Sequence, residues 1–80
     1  MNDTLPPPKT AAELLDMFFL DMRCALLETA ASFDRIERAR GADAALRDER
    51  IRKLRRACEI VASTSPGRAE QVLLLFSDPI

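Results

Sequence analysis

From Leu14 to Leu27 the chain reads LLDMFFLDMRCALL, interrupted by charge only at Asp16, Asp21 and Arg23. At about 100° per residue, a helix through this run gathers Leu15, Phe19, Met22 and Leu26 on one stripe. The stripe continues to Phe33 and Ile36, with Phe18, Ala25, Thr29 and Ala30 at its margins. Met17, Leu20, Cys24 and Leu27 fall roughly opposite. A surface helix needs one apolar face, and this one has two.

The limits of the elements follow from capping and breaking residues. Thr10 and Glu13 stand at the spacing of a capping box, in which hydroxyl and carboxylate each satisfy an amide at the helix start. No Gly or Pro intervenes until Gly41, which suits the positive φ of a helix end. A first helix is therefore expected over 11–40, about 45 Å long. The short turn "GAD" offers Asp43 as N-cap of a second helix over 44–62. In "STSPGR", Ser65 is expected to cap a third helix over 66–76 with Pro66 at its first position, and Pro79 stops it. Pro6, Pro7 and Pro8 make residues 1–9 a flexible, Pro-rich arm ahead of one helical domain over 10–78.

These elements imply an all-α fold: a three-helix, antiparallel, bundle-like domain with one long first helix and two shorter ones. A short turn normally makes successive helices antiparallel neighbours. The second helix is then expected against residues near 22–40 and the third near the amino-terminal half. Leu54, Ala57, Cys58 and Val61, flanked by Leu46 and Ile51, form the facing stripe of the second helix, and Val72, Leu73, Leu75 and Phe76 an apolar block on the third. Such a bundle covers the first stripe of helix one and leaves much of the second in water, unless the third helix wraps far enough around to cover it within one chain. Contiguous apolar surface of that kind marks association. A homodimer through helix one is expected, with Met17, Phe18, Leu20, Cys24 and Leu27 at the interface; another helical protein is the other partner the pattern permits.

Composition narrows the chemistry. The 80 residues are 48% hydrophobic and 31% charged with a net charge of −1, which fits a folded domain and creates no overall field for anionic partners. There is no His, so Ser-His or Cys-His catalysis and His-containing zinc sites are excluded within one chain. The two glycines form no phosphate loop, and the carboxylates show no D-x-D or E-x-x-H spacing. No enzyme activity, cofactor or metal is expected. Cys24 and Cys58 lack C-x-x-C spacing and read as reduced, buried thiols. No apolar run approaches a membrane span and no signal-peptide order opens the chain, so a cytoplasmic setting without membrane contact is the expectation.

One polar feature stands out. The run RDERIRKLRR, residues 47–56, holds six cations against Asp48 and Glu49. Helical spacing suggests Asp48 with Arg52 and Glu49 with Lys53. Arg52, Arg55 and Arg56 are the candidates for an anion or nucleic-acid contact. The function expected is a non-catalytic interaction or accessory protein that self-associates through helix one. The alternative is a small nucleic-acid-binding regulator using the Arg-rich face of helix two, although that helix lacks Asn or Gln for reading base edges.

Overall fold

The computed structural model describes residues 8–77, which form four helices and no strand: α1 (Ala11–Arg38), α2 (Ala42–Leu46), α3 (Glu49–Ala62) and α4 (Arg68–Ser77). The Pro-rich arm expected over 1–9, apart from Pro8 and Lys9, lies outside the described residues, as does Pro79.

α1 begins where the capping box places it. The Thr10 amide donates to Glu13 Oε1 at 2.8 Å, and the Glu13 amide donates to Thr10 Oγ1 at 3.2 Å. Inside the helix, Thr29 and Ser32 donate their hydroxyls to the carbonyls of Ala25 and Glu28, both at 2.9 Å, sharing those acceptors with the backbone amides one turn on. The helix closes near its expected end, and Gly41 takes φ 81°, a left-handed conformation that side chains with a Cβ resist.

The single second helix expected over 44–62 is instead two. α2 ends after Leu46, with the amides of Arg47 and Asp48 donating to the carbonyls three residues back at 3.2 and 3.0 Å. Asp48 then adopts an extended conformation, and its Oδ1 accepts from the Arg50 amide at 2.8 Å. An Asp that can satisfy a first-turn amide competes with helix continuation, and here the cap prevails. Asp43 is consequently a first-turn residue of α2 rather than a cap, since Gly41 holds the cap position without a side-chain bond.

The expected start of the last helix also shifts. Ser65 and Pro66 lie outside α4, and Gly67, at φ 76°, precedes its first residue, Arg68. The turn is held from both sides. Ser63 Oγ donates to the Ile60 carbonyl at 2.7 Å, while Arg68 Nε donates to the Ser63 carbonyl at 2.7 Å. Gln71 reaches back to the Pro66 carbonyl at 3.2 Å. These donors satisfy carbonyls at the end of α3 and in the turn that follows it.

The chain divides into two compact units, one ending at Arg35 and the other starting at Ile36. In the first, α1 is the only element among the described residues. In the second, α3 packs against α4. Among the described residues, those buried are Ile51, Ala57 and Ile60, all on α3. Of the facing stripe expected there, Ala57 is buried but Leu54, Cys58 and Val61 are exposed, and Ile60 takes a core place instead.

Candidate interaction surface

α1 contains no buried residue, and every position from Pro8 to Ala30 is exposed. The stripe expected to form the core is therefore uncovered: Leu15, Phe19, Met22 and Leu26 are 56 to 61% accessible. Only towards its end does the helix become sheltered, at Ala31, Phe33 and Ile36, which are half-buried. The residues named for the interface are open as well. Met17, Phe18, Leu20 and Leu27 are 47 to 63% accessible, and Cys24 is an exposed free thiol.

Both apolar stripes of α1 thus reach solvent, with Asp16 and Arg23 along one border between them and Asp21 and Glu28 along the other. Leu15, Phe19, Met22, Leu26 and Ala30 line an open groove on the wide stripe, bordered by Arg23 and Leu27. A groove on a single helix has no opposite wall, so it lacks the enclosure that small-molecule sites use to bury a ligand. A second helix lying along it supplies that wall.

The first stripe was assigned to a core because its pattern is that of an ordinary amphipathic helix; a solvent-facing and a core-facing stripe of the same composition are identical in sequence. A second apolar surface was missed for the same reason. Leu73, Leu74 and Phe76 of α4 are exposed, and Val61, Ala69, Val72, Leu73 and Phe76 line a shallow groove with Arg68. The run LLLF was the available signal, since three consecutive leucines before a phenylalanine cannot all face one side of a helix.

The Arg-rich segment is more internally paired than its sequence spacing suggests. Arg50 holds Asp48 through Nε at 2.9 Å and Nη2 at 3.1 Å, and Arg52 holds Glu49 Oε2 through Nε at 2.9 Å and also through Nη2. The expected Asp48–Arg52 and Glu49–Lys53 pairs are thus replaced, because the N-cap conformation turns Asp48 towards Arg50. Arg56 meets Glu59 at 3.1 Å. Of the three candidate contact residues, Arg52 and Arg56 are paired, and Arg55 has no ion pair among the described residues.

The titration of these groups follows from their bonds. The Arg50 guanidinium and its amide lower the Asp48 carboxyl from 3.8 to about 2. Hydrogen bonding from Arg52 lowers Glu49, and the two carboxylates raise Arg50 and Arg52 in return. Glu49, Arg50 and Arg52 are exposed and Asp48 is half-buried at the surface, where such shifts describe local pairing rather than a catalytic environment.

The buried thiols expected at Cys24 and Cys58 are both exposed and unpaired in a disulfide. Among the described residues no three His, Cys, Asp or Glu side chains cluster as a metal site would require, and no helix is long and apolar enough to cross a membrane. Comparison with protein-family models, curated proteins and solved structures finds no match to this chain.

Proposed function

We propose that this chain is a non-catalytic interaction or accessory protein that self-associates through α1. The observation that carries the reading is the exposure of every large apolar side chain from Leu14 to Leu27, through the amino-terminal half of that helix. Contiguous surface of this kind is rare on a protein that works alone. A second helix covers it without leaving backbone groups unpaired, since the helical amides and carbonyls are already satisfied internally. Affinity comes from the apolar stripes, while the charges along their borders set orientation.

The nucleic-acid alternative draws less support, because Arg52 and Arg56 are engaged by Glu49 and Glu59 on the same helix. Sedimentation or light scattering at micromolar concentration tests the first reading. The expected mass is twice that of the 8.9 kDa chain. A monodisperse monomer over that range overturns it. Salt-sensitive retention of a duplex or single-stranded probe, lost when Arg52, Arg55 and Arg56 are replaced together, is the result that would favour the alternative.

A further inference from the structure

We infer that the hollow at the junction of α1, α2 and α3 is a binding site for a small, neutral, mainly apolar molecule that carries one N–H or O–H donor, such as an indole or a phenol. The inference does not rest on self-association, since every lining residue belongs to the second unit.

The walls come from three elements. Ile36 lies at the end of α1, Ala45 on α2, and Ile51 and Leu54 on α3, with Asp48 and Arg50 at the interruption between the last two helices. Ile51 is 5% accessible, the lowest value among the described residues, whereas Leu54 remains open to solvent. This is the enclosure that the groove on α1 lacks. The hollow measures about 370 Å³, within the roughly 300–1,000 Å³ of small-molecule sites.

One polar group inside it has spare capacity. Asp48 Oδ1 accepts from the Arg50 amide at 2.8 Å and from Arg50 Nε at 2.9 Å, but Oδ2 accepts only from Arg50 Nη2 at 3.1 Å. A carboxylate oxygen with a single bond can take another donor. The side chain of Asp48 is 38% accessible and that of Arg50 is 85%, so the carboxylate belongs to the hollow and the guanidinium to the water outside. Bonds from Arg50 hold the Asp48 carboxyl at about 2, which keeps it an ionised acceptor at neutral pH.

The charges select a neutral ligand. Asp48 and Arg50 already form a closed pair, so a cation has to compete with Arg50 and shed its water against apolar walls, and an anion meets Asp48. A neutral donor does neither. Its N–H or O–H bonds to Oδ2 while its apolar body covers Ile36, Ile51 and Leu54. Benzene fills an apolar cavity of about 150 Å³, so a hollow of this size, open to solvent, suits one or two rings.

Titration of indole into the full chain, followed by methyl NMR spectra, tests the site. Saturable shifts are expected at Ile36, Ile51 and Leu54, with a dissociation constant on the order of 1 mM. 1-Methylindole, which lacks the donor, is expected to bind about tenfold more weakly. Leu54→Trp fills the hollow and is expected to abolish the shifts at Ile36 and Ile51, with circular dichroism verifying the helices; Ala45→Leu, at an exposed position, carries the same expectation should the first variant fail to fold. No shift at the lining methyls up to the solubility limit of indole overturns the site. Equal shifts at Leu15, Leu26 and Leu73, all exposed, overturn it in favour of general adsorption to apolar surface. Equal affinity for 1-methylindole overturns the part assigned to Asp48, and unchanged binding by a folded Leu54→Trp overturns the location.

Discussion

Truncating Leu26 to alanine distinguishes a helix that is merely oily from one that is an interface. Leu26 is 61% accessible, so in the isolated chain its loss removes only the sheltered two-fifths of the side chain. Full burial of a leucine is worth about 1.5–3 kcal/mol, which puts the cost to an isolated chain below about 1 kcal/mol. In the proposed dimer the exposed part is covered, and after allowing for what the remaining methyl retains, the loss is about 1 kcal/mol per copy. Two copies make about 2 kcal/mol, a dissociation constant about thirtyfold weaker. Sedimentation equilibrium of the parent and of Leu26→Ala measures this ratio, and circular dichroism verifies that helix content is kept. Leu74→Ala is the matched control, because Leu74 is equally accessible at 61% but belongs to α4. An unchanged dissociation constant for Leu26→Ala, or an equal weakening by Leu74→Ala, would refute the assignment of the contact to α1.

The second unit makes the opposite prediction. Ile60 is 7% accessible, and Ile60→Ala is expected to cost about 2–5 kcal/mol, enough to abolish cooperative unfolding of so small a core; a urea midpoint close to that of the parent contradicts it. Gly41→Ala imposes a Cβ at φ 81°, and since nothing lies within 4 Å of that position the penalty is purely conformational, about 1–2 kcal/mol, read as a lowered denaturation midpoint with an unchanged slope. The pH dependence follows from Asp48. Its folded-state value of about 2 lies below the ordinary carboxylate value near 4, so its stabilisation is complete above about pH 4 and is lost as the pH falls through about 2. Thermal unfolding of Asp48→Ala is expected to show a shallower acid dependence in that window, and an identical profile would dissociate the shift from folding.

Local structure was readable wherever a residue acts on its immediate neighbours. Thr10 and Glu13 mark the start of α1 because their bonds close within one turn, and Gly41 marks its end because only backbone freedom is needed there. The break at Asp48 was hidden by a tie: an Asp inside a helical pattern either continues the helix or caps the next one, and the difference is a single side-chain bond to Arg50. The Arg52 pairing was misassigned with it, since the same cap turns Asp48 to Arg50 and leaves Glu49 to Arg52.

Periodicity alone established that α1 carries two apolar stripes, because the 3.6-residue repeat is intrinsic to the helix. Which stripe meets protein and which meets water is a matter of long-range packing, to which the repeat is blind. The second unit shows how that was settled: α3 packs on α4 and closes a core of three residues, while Leu15, Phe19, Met22 and Leu26 stay open to solvent. Burial depends on the area available across the facing surface, and that quantity exists only once the helices have been placed in space.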